Sequence, residues 1–354
     1  MTLVNSENFR FYDKKAKMRL ISLVKQVTWL GLGFTLVLLL TKGHPSEFMI
    51  GLYLCFTFFV TWSKHWWFEK KPENVLTISP PLNHKELSDT ENELDCQSNL
   101  IEKALHLKSQ SHNNSMNFIL ANLKNAQLAD LNLNCAYLSG SNLSHANLSG
   151  ASLWNSNFST AQLVDTNFSN AILKNANLSS SNLINANLSS ADLKEANLSN
   201  ANLSNADLRD TDLSGANLSN ADLSDANLSS GNLTNVYLWS ANLNRANLLG
   251  ANLSSAYMNS TKLRNANLSG ALLKDTNLSD AKLQEANLTG TNLCGANLCC
   301  ANLKNANLSN ANLENANLEG ANLEGADLST ANLNGANLRC VRINQATQMH
   351  KKWL

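Results

Sequence analysis

Apolar residues recur at every fifth position from Phe118 to Ile343, which makes (343 − 118)/5 + 1 = 46 units without an insertion. The central residue of each unit is Leu, apart from five other apolar residues: Phe118, Phe158, Phe168, Met258 and Ile343. Two positions earlier the residue is usually Ala, and Asn, Asp, Ser and Gly dominate the rest. A period of five fits no amphipathic helix, because it would place Leu on every side of a 3.6-residue turn.

One unit, Ala301-Asn302-Leu303-Lys304-Asn305, indicates how the chain folds. Ala and Leu are two residues apart, so both point to the same side of an extended backbone. The two following positions hold residues that favour turns. Each unit is therefore a short side followed by a corner, and units that all turn the same way form a coil with Leu and Ala inside. Stacked coils make a solenoid.

The motif Ala-(Asn/Asp)-Leu-x-x resembles the pentapeptide-repeat family over 226 of 354 residues. The resemblance implies an all-β fold, a right-handed quadrilateral parallel β-helix in which four units make one coil. Residues 118–343 would then form about 11 coils, roughly 55 Å long at a strand spacing of about 4.8 Å. The tail, residues 344–354, is similar to the ending of cyanobacterial family members, where a helix follows; here the chain stops at Leu354.

The N-terminal third predicts a membrane anchor. A basic segment, residues 1–19, precedes two apolar runs, 20–40 and 48–67, that predict a transmembrane helical hairpin over 20–67. A cleaved signal peptide is disfavoured, because no small-residue cleavage site follows Leu40 and a second apolar run does. A re-entrant hairpin and a buried soluble hairpin remain as alternatives.

Charge predicts the orientation of this anchor. Lys14, Lys15, Lys17 and Arg19 flank one end and Lys64, Lys70 and Lys71 the other, whereas the connecting turn has only Lys42. The positive-inside rule then places the N-terminus and the repeats in the cytoplasm of a bacterium, at its plasma or an internal membrane. The lipid bilayer is thus the partner expected for residues 20–67.

Residues 68–117 predict a linker. Pro72, Pro80 and Pro81 and an acidic run argue against a packed element over 72–97. A short amphipathic helix near 98–109 is expected to cover the open first coil, since a bare end would expose strand edges and Leu.

A twenty-residue coil predicts which surface residues are stacked. Tyr237 lies over Tyr257 with Trp239 beside them, and these three exposed aromatic residues are the candidate partner-binding patch. Ion pairs are expected between Asp225 and Arg245 and between Lys304 and Glu324. The like-charged neighbours Lys262 and Lys282, and Asp192 and Asp212, are also expected to be stacked.

No catalytic, cofactor or metal site is predicted. His145 is the only His in the repeats, and a coil filled with Leu and Ala leaves no room for a cofactor. Cys294 and Cys299 are expected on adjacent faces, with Cys300 at the next corner, as free thiols of a reducing compartment. A set of acids radiates outward rather than converging on a metal: Asp207, Asp210, Asp212, Asp222 and Asp225.

Two functions from different classes fit these features. The first is a non-enzymatic, membrane-anchored scaffold whose rod binds unidentified proteins at the cytoplasmic face, with a homodimer left open. The alternative is the DNA-mimic branch of the family, which modulates type II topoisomerases. The repeats carry 12 Lys and Arg against 16 Asp and Glu, a net of −4, which is a poor copy of duplex charge. No nucleic-acid partner is expected, because no basic face is present.

Overall fold

Residues twenty positions apart lie side by side throughout the repeats. The computed structural model describes residues 76–77 and 116–350, and parallel bridges run in it from Asn117 with Tyr137 to Asn322 with Arg342. Four units therefore complete one coil, as the family resemblance implied. The described residues contain no α-helix.

Regular strands are short because each side of a coil spans only about three residues. The structure has β1 (Leu76–Thr77), β2 (Met116–Asn117), β3 (Asp327–Leu328) and β4 (Gln348–Met349). β1 pairs in parallel with β2, and β3 pairs in parallel with β4. Between β2 and β3, single parallel bridges at the centre of each side link the coils.

The core is a column of Leu and Ala side chains along the axis. Central Leu residues such as Leu148 and Leu248 and the preceding Ala residues are fully buried. Phe158 and Phe168 replace Leu in one coil, and their rings meet edge to face with centroids 5.8 Å apart. Ser or Thr at an Ala position is also buried, and its hydroxyl donates to a nearby carbonyl, as Ser141 does to Leu138 O at 2.6 Å. The axis is thus apolar and filled.

Every backbone N–H of a typical repeat has an acceptor, as the unit 146–150 illustrates. The N–H groups of the second, third and fifth residues point along the axis and bond to neighbouring coils. The N–H of the first residue closes the preceding turn, and the N–H of the fourth residue donates to the unit's own Asn side chain. The bonds are Ala146 N to Leu143 O, Asn147 N to Ala126 O, Leu148 N to Asn167 O, Gly150 N to Ser169 O and Ser149 N to Asn147 Oδ1. This complete pairing explains why Asn or Asp precedes Leu so often.

The ends of the solenoid differ from the predictions made for them. β1 lies within 72–97, where no packed element was expected, and it extends the first coil's edge by pairing with β2. At the other end the tail continues the coil with one extra residue, because Gln348 rather than Thr347 pairs with Asp327. Two tail side chains cap this edge: Gly325 N donates to Asn344 Oδ1 and to Thr347 Oγ1, at 3.1 and 3.2 Å.

The predicted hairpin over 20–67 and the predicted capping helix near 98–109 lie outside the described residues. Within 76–77 and 116–350, no helix has the length and apolar character needed to span a bilayer.

Candidate protein-binding surface

The three predicted patch residues lie together on one side of the rod. Tyr237 and Tyr257 are paired across adjacent coils, and their rings are stacked with centroids 5.0 Å apart and an interplanar angle of 4°. Trp239 follows Tyr237 at the next corner. The exposed fractions of Tyr237, Trp239 and Tyr257 are 43%, 42% and 47%. The structure therefore brings together the residues that the twenty-residue coil predicted.

The stacked tyrosines interrupt a ladder of asparagine amides on the same side. Asn177 and Asn197 each donate to the Asn twenty residues earlier, at 3.3 and 3.4 Å. The same pattern resumes farther along, where Asn297 and Asn317 each donate at 3.3 Å. Ring stacking takes the place of amide bonding between these two stretches, so the patch is an apolar island on a polar surface.

A shallow groove of about 250 Å³ adjoins the patch. Gly215 forms its open corner because it has no side chain and holds a φ of +68°. Glu195, one coil earlier in the same corner column, also lines the groove, together with Tyr237 and Trp239. Ala196, Asn197 and Asn217 complete the lining. Sequence reasoning missed this groove, although a Gly at a corner next to two aromatic columns was its signal.

Both predicted ion pairs are present. Arg245 Nη2 is 2.5 Å from Asp225 Oδ2, and Lys304 Nζ is 3.3 Å from Glu324 Oε2. The hydrogen bond from Arg245 lowers the pKa of Asp225. These pairs lie at exposed corners, so each contributes little stability.

Acidic residues are concentrated in the coils that carry the groove. Residues 192–225 contain seven Asp and Glu against Lys194 and Arg209, a net of −5, whereas the rest of 118–343 has nine acidic against ten basic residues. Arg209 donates to Asp207 and thereby lowers the pKa of that carboxyl. Burial raises the pKa of Asp212, but hydrogen bonds from Ser214 and Lys194 outweigh it and the pKa is lowered. Asp207 and Asp212 are therefore charged at neutral pH.

Cys299 and Cys300 occupy the same corner, which corrects the expectation that Cys300 would lie at the next one. Their Sγ atoms are 3.6 Å apart. The contact with Cys300 raises the pKa of the Cys299 thiol, so Cys299 is less often a thiolate at neutral pH. Cys294 lies at the preceding corner, and the described cysteines are free thiols.

His145 lies near a carboxylate, with Nδ1 3.6 Å from Asp165 Oδ2, and both side chains are exposed. Among residues 76–77 and 116–350, no group of three or more His, Cys, Asp or Glu converges as a metal site would require. This surface offers aromatic contact area, amide side chains and carboxylate charge.

The sequence model of pentapeptide repeats matches eight copies in this chain, in segments that span residues 121–347. The chain belongs to the pentapeptide-repeat family. Members of this family form right-handed quadrilateral β-helices, which agrees with the parallel twenty-residue coils described above. They are in general non-enzymatic proteins with structural or interaction roles.

Several solved structures are similar to this chain. HetL, a protein of the cyanobacterium Nostoc involved in heterocyst differentiation regulation, is 34% identical over 68% of this chain and 96% of its own, with a TM-score of 0.31. Rfr23 of the cyanobacterium Cyanothece is 38% identical over 28% of this chain and 63% of its own, with a TM-score of 0.20. The fluoroquinolone resistance protein QnrB1 is 20% identical over 49% of this chain and 84% of its own, with a TM-score of 0.33. No curated protein matches.

Proposed function

We propose that this pentapeptide-repeat protein is a membrane-anchored, non-enzymatic scaffold. A hairpin over residues 20–67 would hold a rod of about 11 coils at the cytoplasmic face, where the rod binds another protein. The observation that carries this proposal is the exposed aromatic patch of Tyr237, Trp239 and Tyr257. Its three neighbouring rings provide the rigid, partly apolar contact area typical of interface anchors.

The filled axis supports a recognition role. Buried Leu and Ala occupy the interior of each coil, so the side chains that vary are those at the surface. A rod of this kind can change its outer residues without disturbing the packing, because each coil contacts only its neighbours. Function is then expected on the outer faces.

A triple change, Tyr237→Ser, Trp239→Ser and Tyr257→Ser, tests the patch. Proteins captured by full-length protein from detergent-solubilised membranes are compared by mass spectrometry with those captured by the variant. We expect the fold to remain, since Ser occurs at equivalent surface positions, and a specific partner to be lost.

The matched control removes three exposed apolar residues elsewhere: Trp154→Ser, Ile172→Ser and Leu272→Ser. The control variant should retain the partner that the patch variant loses. If wild type and both variants capture the same proteins equally well, the patch is not the binding surface.

Membrane anchoring has a separate test. After cell lysis, the full chain should remain in the membrane fraction through an alkaline wash, because two apolar runs inserted in lipid resist extraction of peripheral proteins. A variant lacking residues 20–67 should move to the supernatant. Complete extraction of the full chain at high pH would contradict the anchor.

A gyrase supercoiling assay examines the topoisomerase alternative with the same preparation. The rod outside 192–225 carries nine acidic against ten basic residues, and this balance disfavours a surface that imitates duplex DNA along its length. We expect no inhibition at micromolar protein, and inhibition there would place the DNA-mimic function first.

A further inference from the structure

We propose that the groove beside the aromatic patch binds an arginine side chain of a basic protein segment. This inference rests on the proposed function, because it names the chemistry that the patch and its surroundings recognise. Three independent features converge on it: the open corner at Gly215, the carboxylate of Glu195 beside aromatic rings, and the concentration of acidic residues in these coils.

The corner at Gly215 is open, unlike the other Gly corners of its column. The column holds Asn155, Asn175 and Asn235, each with a positive φ, and also Gly295 and Gly335. At Gly295 and Gly335 a side-chain oxygen of the preceding coil would overlap an added Cβ, so that oxygen fills the corner. At Gly215 the side chain is missing, and an added Cβ would already be 3.6 Å from Glu195 Cγ. The absent side chain thus leaves one face of Glu195 open to the groove, whereas a larger residue would cover it.

The lining matches a guanidinium group in both charge and shape. Glu195 offers two carboxylate oxygens, which pair with the planar fork of Arg. Tyr237 and Trp239 line the same groove, and the face of an aromatic ring attracts a cation placed over it. Asn197 also lines the groove, and its Oδ1 accepts one hydrogen bond, from Ser199 N, which leaves one lone pair for a remaining N–H group.

The electrostatic field around the groove also favours an arginine side chain. Residues 192–225 carry a net charge of −5, while the remainder of the repeats carries +1. Charges within about 8–10 Å interact appreciably at physiological salt, and adjacent coils are only about 4.8 Å apart. Lys194, the basic residue next to Glu195, is held by Asp212 at 3.2 Å. A basic segment would be attracted to these coils, and a nucleic acid would be repelled.

The test measures fluorescence anisotropy of a fluorescein-labelled peptide, Gly-Ser-Arg-Ser-Arg-Gly, with the full-length protein in detergent micelles. A second peptide carries citrulline, the neutral isostere of Arg. We expect the Arg peptide to bind, and its affinity to fall as the salt concentration rises from about 50 to 300 mM. The citrulline peptide should bind about tenfold more weakly, since it lacks the charged hydrogen bond.

Two substitutions identify the groove. Glu195→Gln removes the carboxylate charge, and Gly215→Asn places an amide over Glu195, as Asn185 lies over Asp165 at 3.0 Å. Asn occurs with positive φ in this column, so the second variant should keep its fold, which circular dichroism checks. Each should weaken binding of the Arg peptide about tenfold. Glu314→Gln, farther along the same corner, and Gly250→Asn, where an added Cβ meets nothing within 4 Å, are the controls.

The outcomes separate this inference from the scaffold proposal. Unchanged binding by Glu195→Gln and Gly215→Asn, equal binding of both peptides, or no binding by wild type would each overturn the arginine groove. Partner capture lost in the triple Ser variant but kept in Gly215→Asn would leave the patch standing without the groove. If partner capture is lost in the triple Ser variant, in Glu195→Gln and in Gly215→Asn, and is kept in Glu314→Gln and Gly250→Asn, the groove is part of the partner's binding site.

Discussion

At the residue scale, the corners depend on one backbone conformation. Every fifth residue from 120 to 340 has a positive φ except Thr330, and each corner closes with a bond such as Ala126 N to Leu123 O at 3.1 Å. This arrangement resembles a type II turn, whose third residue requires the left-handed region. Asn, Asp and Gly are common there because they adopt it at low cost.

Asn175→Val tests this requirement at a corner where φ is +56°. A β-branched side chain in the left-handed region is strained, so we expect a loss of about 1–2 kcal/mol of unfolding free energy. Asn175→Gly, the matched change, should alter stability by less than about 1 kcal/mol. Urea unfolding of the full chain in micelles, followed by circular dichroism, measures both. Equal midpoints for the Val and Gly variants would contradict the argument.

At the scale of the repeat, burial alternates sharply between neighbouring residues. Leu248 has an exposed fraction of 0%, and Leu249 has 48%. Leu is therefore a core residue at one position and a surface residue at the next.

Leu248→Ala and Leu249→Ser form a matched pair that tests this alternation. The first leaves a cavity in a filled axis and should cost about 2–5 kcal/mol. The second should change stability by less than about 0.5 kcal/mol. Calorimetric midpoints of both variants against wild type provide the measurement, and similar losses would mean that the axis is not the main source of stability.

The repeat also explains what sequence reasoning could predict. Identical units make burial and corners follow from the spacing. The columns needed one more element, the four-unit coil that the family resemblance implies, and with it the stacking of Tyr237 on Tyr257 and the Asp225–Arg245 pair were predictable. β1 was not, because Leu76–Thr77 is defined by pairing with a strand forty residues away and has no repeat around it. The extra residue before Gln348 was missed for a similar reason: the five-residue period ends there.

At the scale of the whole chain, the two ends of the solenoid are its exposed edges. A coil in the middle bonds to neighbours on both sides, but the last coil has backbone groups without a following repeat. The tail supplies the missing partners. Thr347 Oγ1 donates to Leu323 O at 2.9 Å and accepts from Asn344 N at 3.1 Å. Gly325 N also donates to Thr347 Oγ1.

Thr347→Val keeps the size of this side chain and removes its hydroxyl. Leu323 O then loses one of its two donors and keeps Ala326 N, and Gly325 N keeps only Asn344 Oδ1. Since each coil depends on its neighbours, the last coil should open more often while distant coils stay closed. Hydrogen exchange measured by mass spectrometry should rise several-fold in peptides covering 321–328 and remain unchanged near residue 200. Thr289→Val, which removes a hydroxyl bound to Asn287 Oδ1 in an interior coil, is the control and should not affect 321–328. Faster exchange along the whole rod would show that the coils unfold as one unit, and no change at 321–328 would mean that the tail does not stabilise the edge.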